Sequence, residues 1–479
     1  MHHDSVQEID IEPLLLDRLA GLFSEERADR FRDVAVAGRR LLNGHVVWNV
    51  NATASGGGVA EMLQTLLAYV RGAGVDTRWL VLSAGPDFFV ITKRIHNMLH
   101  GALGDGGPLG DTEREVIAET LGSNLDQMIP RVSAGDIVLL HDPQTAGMVD
   151  GLRAVGASVV WRCHVGRDTP NEVTERGWSF LRPMVQNSDA FIFSREAYAP
   201  GWIPPERLHV IPPSIDPFSA KNRALDESEV HAALAHAGLV GGVGDPDRLG
   251  FRRRSGTQGT VRRHNGLVLD SPPPTPDARL VIQVSRWDRL KDMAGVLTGF
   301  ADNMSALPDD VHLMLVGPEA SGVSDDPEGA GVLAECRYLR RQLAASRRGR
   351  VHLACLPMDD VDENAHLVNA LQRHASVIVQ KSLVEGFGLT VTEAMWKGRP
   401  IAASAVGGIQ DQIVDGIQGL LLRDPLDLAA LANALGRLLN DADLSAELGR
   451  AAHTRAHDFF LGDRHLEEYV DLFDTLQNP

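Results

Sequence analysis

The chain has 479 residues, too many for one ordinary core, and its 44% hydrophobic and 23% charged residues exclude wholesale disorder; two domains are the simplest expectation. A formal net charge of -18 disfavours nucleic acid or an anionic membrane as the main partner, because both attract basic surfaces. It leaves room for a small anion, which a few cations converging at a helix terminus can hold against distant, screened charge.

The first residues, MHHDSVQEIDIEP, are polar and acidic where a signal peptide is basic and then apolar, and no apolar run reaches the length of a membrane span. A cytoplasmic location is expected. The three cysteines, Cys163, Cys336 and Cys355, lack metal-ligand spacing and read as reduced thiols. From residue 45 onward, short apolar runs alternate with amphipathic stretches, the pattern of a parallel sheet covered by helices. Strand His45–Asn51 runs into Ala52-Thr-Ala-Ser-Gly-Gly-Gly58 and a helix over Val59–Arg71. Further strands are predicted at Trp79–Leu82, Asp136–His141, Ser158–His164, Ala190–Ser194 and His209–Pro212. The segment Asp226–Asp277 opens with a short helical stretch and then clusters Gly, Pro and Arg, which reads as a mobile insertion or linker. A second alternating series follows: strand Arg279–Ser285, helix Met293–Met304, strand Val311–Val316, helix Val332–Ala345, strand Val351–Leu356, helix Ala365–His374 and strand Val377–Gln380. Helix Leu389–Lys397, strands Pro400–Ala403 and Gly419–Leu422, and three helical patterns complete it. The expected organisation is an N-terminal Rossmann-like domain over 1–217, a linker and insertion over 218–277, a C-terminal Rossmann-like domain over 278–455, and a terminal helix over 456–479 that packs back on the N-terminal domain. Ligands of such sheets sit at the carboxyl ends of the strands.

The strongest motif is Glu385-Gly-Phe-Gly-Leu-Thr-Val-Thr-Glu393 at a strand-to-helix junction. Gly386 and Gly388 let backbone approach a ligand, and the unpaired amides of Leu389, Thr390 and Val391 open a helix toward an anion such as a diphosphate. Glu385 can accept from sugar hydroxyls and Glu393 from the hydroxyls of a ribose. The competing reading makes Thr390-Val-Thr-Glu393 a capping box and nothing more. Arg286-Trp-Asp-Arg-Leu-Lys291, after strand VIQVS, sets a planar fork and a point charge at a strand end, suited to a leaving diphosphate; its bland reading is a solvated basic turn. Gly56-Gly57-Gly58 permits close contact with phosphate or sugar, or serves only the turn, and no G-x-G-x-x-G fingerprint is present there. His141-Asp142-Pro143-Gln144 and Trp161-Arg162-Cys163-His164 end two strands, where polar side chains orient a sugar; a lone histidine is otherwise a hydrogen-bonded structural residue. Neither pair has a third ligand at useful spacing, so no metal is expected.

The stretch QKSLVEGFGLTVTEAMWKGRPIAASAVGGIQDQIVDGIQGLLL, preceded by VSRWDRLKD, resembles the donor domain of the large retaining glycosyltransferase family that includes sucrose synthases and bacterial mannosyltransferases. More narrowly, HDPQ, WRCHV, WSFLRPMVQNSDAFIFSREAYAP and IPPSIDPFSAKN resemble its trehalose synthase branch, the trehalose glycosyltransferring synthases, and the related trehalose phosphorylases. The resemblance spans roughly residues 40 to 225 and 278 to the end. It implies the GT-B fold: α/β, with two Rossmann-like doubly wound domains facing an interdomain cleft.

On matching positions the resemblance implies that Arg286 and Lys291 grip the donor phosphates, Glu393 the ribose and Glu385 the transferred glucose. Gly56, Gly57, Gly58, Gly386, Phe387, Gly388, Leu389, Thr390 and His141 line the donor site. Asp142 and His164 position the reacting glucoses, and Gln144 and Arg162 join them toward the acceptor. The catalytic set is thus Arg286, Lys291, Glu385, His164 and Asp142. No cofactor or metal is required, and the donor substrate is a nucleoside diphosphate glucose, UDP or ADP. The partners are small sugars and that nucleotide sugar; the insertion leaves a homodimer open. The implied reaction makes trehalose from that donor and glucose, with retention and in a reversible sense. A phosphorylase using inorganic phosphate, a related transferase with another acceptor, and a silent sugar-nucleotide sensor are the alternatives.

Overall fold

The computed structural model describes residues 6–54, 58–319 and 328–478. The chain divides into two compact units, one running up to Ser214 and resuming from Phe460, the other covering Ile215–Phe459.

The first unit is a seven-stranded sheet of β1 (Gln7–Ile9), β2 (Val47–Asn51), β3 (Thr77–Val81), β4 (Ile137–His141), β5 (Ser158–Cys163), β6 (Ala190–Phe193) and β7 (Leu208–Val210). Its order is β1-β3-β2-β4-β5-β6-β7, all parallel except β1, which pairs antiparallel with β3. β2, β4 and β6 are buried at every position, as strands covered on both faces must be. Where chain order reverses, β2 lies beside β4, and the crevice outside their carboxyl ends is the place where doubly wound sheets receive ligands. The helix Gly462–Gln477 closes this unit against the helix Glu25–Leu41, with the guanidinium of Arg27 holding both oxygens of buried Asp463 at 2.6 and 2.9 Å.

The second unit begins with the segment expected to be a mobile linker, and the structure corrects that expectation. Glu227–Ala237 is a helix closed by an Asp226/Glu229 capping box, and Gly250–Arg252 (β8) and Gln258–Thr260 (β9) form a hairpin. Three of the segment's arginines are paired, because the acid-rich start of the helix Val361–His374 faces them. Arg253 pairs with Asp360, Arg254 with Asp362 at 2.6 Å, and Arg262 with Asp359 at 2.7 Å and with fully buried Glu363 at 2.6 Å. Leu269 and Leu267 then bond the backbone of Leu353 and Cys355 and cover a sheet edge.

The main sheet of this unit is β10 (Arg279–Val284), β11 (Val311–Pro318), β12 (Val351–Leu356), β13 (Val377–Gln380), β14 (Ile401–Ser404) and β15 (Leu420–Leu422). It is parallel throughout, in the order β12-β11-β10-β13-β14-β15. Counted from its first strand this is 3-2-1-4-5-6, the doubly wound order that reverses between β10 and β13. Trp287 pins the loop after β10: its indole donates to the carbonyl of Pro318 at 2.9 Å and lies where a Cβ on Gly317 would stand, at 2.5 Å.

Asp136 braces the strand pair that carries the first unit's crevice, accepting from Val46 N at 2.9 Å, Ser133 N at 2.9 Å and Trp48 Nε1 at 3.0 Å while almost fully buried. In Asp136→Asn one amide hydrogen must meet a donor, so the variant should lose about 1–3 kcal/mol of stability in urea unfolding. An unchanged midpoint would show that the brace contributes nothing.

Candidate functional site

In the second unit, the loops after β10 and β13 meet at the point of chain reversal. Gln283 on β10 donates its Nε2 to the carbonyl of Lys291 at 2.7 Å and takes the Lys381 N–H on its Oε1 at 3.0 Å. Leu383 N donates to Leu290 O at 2.7 Å. These bonds bring the Lys291 ammonium onto the Glu385 carboxylate, 2.7 Å from each oxygen, with Ser382 Oγ a further donor at 3.0 Å. Both side chains are largely covered. Arg286, half-buried, lies 3.6 Å from the carboxylate of Asp288, whose other oxygen takes Leu290 N at 2.7 Å.

Gly388 is the N-cap of the helix Leu389–Trp396 and has φ of 87°, a conformation that a side chain would strain. A Cβ there would also stand 3.3 Å from Glu385 Cγ, so the ion pair and the helix start are direct neighbours. Among the described residues nothing in the protein accepts from the amides of Leu389 and Thr390. The expectation of a third open amide is corrected: Val391 N donates to Gly388 O at 2.9 Å. The capping-box reading also falls, because the helix starts before Thr390, whose hydroxyl donates instead to Gln380 at 3.0 Å. Gln412 holds the loop from below, donating its Nε2 to Phe387 O at 2.6 Å and accepting the Thr392 hydroxyl on its Oε1 at 2.7 Å. Gly386 contributes its carbonyl to Gly408 N, and the Phe387 ring is buried. Glu393, on the same helix, is buried with Lys221 Nζ 3.5 Å from its carboxylate.

In the first unit, Asp142 follows β4 with φ of 65° and ψ of 176°, a strained backbone for any residue but glycine. Neighbours enforce it: its N–H donates to Arg162 O at 2.8 Å, and its carbonyl accepts from Trp161 Nε1 at 3.2 Å and Thr145 Oγ1 at 3.1 Å. The Asp142 carboxylate accepts the His164 N–H at 2.8 Å. His141 and His164 stack with centroids 5.5 Å apart, His141 Nδ1 lying 3.2 Å from His164 Nε2 and His141 Nε2 lying 3.2 Å from Asn49 Oδ1. Burial first, and the nearby Arg162 charge second, lower His141 to about 3 and hold His164 well below the ordinary imidazole range. Both rings are therefore neutral at pH 7. With Asn49 Oδ1 as the acceptor, His141 donates from Nε2 and accepts from His164, which leaves His164 Nδ1 an acceptor for a hydroxyl. Gln144 is half-buried in the turn Pro143–Met148.

Arg162 corrects an expectation. It was assigned to an acceptor, but its guanidinium is fully buried, bonded to His465 at 2.9 Å, to Tyr469 and to Ile211 O at 3.0 Å, so it anchors the C-terminal helix to β5. Gly58 starts the helix Gly58–Gly72 in an exposed position; Gly56 and Gly57 lie outside the described residues. Asn49, Ser382, Gln412 and Lys381 were not anticipated. Asn49, Gln412 and Lys381 are ordinary polar residues whose partners are distant in sequence, Ser382 reaches Glu385 three residues on, and the lysine within QKSLVEGFG was the one visible signal. Among the described residues no group of three His, Cys, Asp or Glu could hold a metal ion, and no helix is long and apolar enough to cross a membrane.

Two doubly wound sheets are the GT-B architecture, and the chain is a glycosyltransferase of that fold. One solved structure, described as trehalose-6-phosphate from E. coli bound with UDP-2-fluoro glucose, superposes with a TM-score of 0.65 over 91% of this chain and 99% of its own, at 13% identity. Residues 49–200 match the family described as trehalose synthase, N-terminal domain, and residues 270–455 the family described as glycosyl transferases group 1. The chain is 34% identical over 427 residues to the trehalose synthase of Thermococcus litoralis, covering 89% of this chain and 90% of that one. It is 31% identical over 471 residues to the trehalose synthase of Pyrococcus horikoshii, covering 98% and 99%. The chain belongs to the trehalose synthase family.

Burial raises the Asp142 carboxyl to about 7, against the opposing pull of the His164 N–H and Arg162. The folded state thus holds the proton more tightly than an unfolded aspartate of pKa about 4. Its contribution to stability is complete below about pH 4 and is lost as pH rises through about 7. Asp142→Asn should flatten this part of the pH–stability profile; the same slope in both proteins would contradict the assignment.

Proposed function

We propose that this enzyme transfers glucose from UDP- or ADP-glucose to glucose, with retention at the anomeric carbon, giving trehalose and the nucleoside diphosphate. One observation carries the donor half of the reading: Lys291 and the open amides of Leu389 and Thr390 converge beside Glu385 at the chain-reversal point of a doubly wound sheet. Relatives named trehalose synthase over nine-tenths of their length support the acceptor half.

In this reading Arg286, Lys291 and the two helix-start amides receive the diphosphate, Glu393 the ribose hydroxyls, and Glu385 the hydroxyls of the transferred glucose. The C1–O bond to the diphosphate breaks through an oxocarbenium-like state while the acceptor oxygen bonds to C1 from the same face. The acceptor's proton passes to a phosphate oxygen. Charge on the departing diphosphate rises during this step, so cations and fixed dipoles already in place stabilise the transition state more than the ground state. Asp142 and neutral His164 are proposed to hold sugar hydroxyls, with His141 and Asn49 fixing the tautomer. The buried, unbridged cysteines fit a reducing, cytoplasmic location.

Incubation with trehalose plus UDP or ADP should yield the nucleoside diphosphate glucose. Glucose 1-phosphate formed from trehalose and inorganic phosphate, with no reaction of either nucleotide, would reassign the enzyme as a phosphorylase. Lys291→Gln should lower kcat by about 100- to 1000-fold while changing the KM for acceptor glucose far less. Equal effects on both parameters would remove Lys291 from the diphosphate site.

A further inference from the structure

Beside the Lys291–Glu385 pair lies a second ion pair that the reaction scheme leaves unused. Lys381, the first residue after β13, is completely buried, and its ammonium contacts the carboxylate of Asp292. Gln283 ties the two loops together, bonding both the Lys381 N–H and the carbonyl of Lys291, so Lys381 is fixed directly to the turn that carries Lys291. Asp292 stands at φ of 46°, in the left-handed region, and caps the helix Met293–Asp302 by accepting Gly295 N–H at 3.1 Å.

Neither task of Asp292 requires a charge. Asparagine caps helices and tolerates left-handed backbone as well as aspartate does. A buried ammonium is costly, and an apolar side chain would fill the place after β13 without that cost. The pair is therefore more than packing. One residue from Lys291, an uncancelled carboxylate would both repel an anionic diphosphate and compete for the cation meant to receive it.

We propose that Lys381 is a positioning residue of the donor site: it cancels the charge of Asp292, so that the turn Asp288–Asp292 offers Lys291 to the diphosphate without the adjacent Asp292 carboxylate opposing it. The inference rests on the donor assignment made above.

The test measures UDP and ADP affinity by calorimetry, and donor and acceptor kinetics separately, for wild type, Lys381→Met, Lys381→Gln and the double variant Lys381→Met/Asp292→Asn. Lys381→Met should lower nucleotide affinity and donor kcat/KM about 10- to 100-fold while leaving the acceptor KM within about threefold. Lys381→Gln, which can still donate to Asp292, should fall in the same direction, and it carries the comparison if Lys381→Met does not fold. Removing the second charge in the double variant should recover most of the loss. A double variant as impaired as Lys381→Met, or losses shared equally by donor and acceptor, would overturn the proposal and leave Lys381 a packing residue. No affinity of the wild type for either nucleotide would instead bring down the donor assignment itself.

Discussion

The ion pair between Lys291 and Glu385 is the contact on which the second unit's site depends. It joins two loops from strands adjacent in space and distant in sequence, β10 and β13, at the place where the sheet reverses its winding. Both groups are mostly shielded from water, so the cost of desolvating them offsets much of their attraction, and removing one partner would strand a desolvated charge. The pairing also has a functional logic. In the proposed reaction the Lys291 ammonium turns from that carboxylate to the diphosphate at the neighbouring helix start, which frees Glu385 for a neutral sugar.

The first unit solves a different problem. Its groups carry little charge at pH 7: two neutral imidazoles, an amide, and a carboxyl that burial brings to about 7 and so leaves about half protonated. Such a set suits the hydroxyls of a neutral sugar, which require donors and acceptors in fixed places and no net charge. The strained backbone of Asp142 is part of that fixation, held by bonds from Trp161, Arg162 and Thr145. Strain of this kind persists only where its surroundings over-determine it.

Much of this was legible in the chain itself, for identifiable reasons. Buried parallel strands are written as short β-branched runs, so Val351–Leu356 and Val377–Gln380 were placed to the residue and most others within two. The EGFG and RWDRLK motifs are local, and a glycine at a helix start reports its backbone directly, as Gly388 does. What the sequence concealed is long-range. Arg162 sits in a strand-end motif identical in appearance to a binding residue, and only its bonds to His465 and Tyr469, some three hundred positions away, reveal an anchor. Arg253, Arg254 and Arg262 look solvated until the acids of residues 359–363 are set against them. An unmatched charge in a sequence is ambiguous between surface and partner, and tertiary structure alone decides.

The central claim is that Lys291 and the first amides of the helix Leu389–Trp396 share one diphosphate. A crystal structure with UDP or ADP bound tests it most directly. The expected result places phosphate oxygens within hydrogen-bond reach of the Leu389 and Thr390 amides, with the Lys291 ammonium turned from Glu385 onto the same diphosphate. A nucleotide bound elsewhere, with Lys291 still on Glu385, would contradict it.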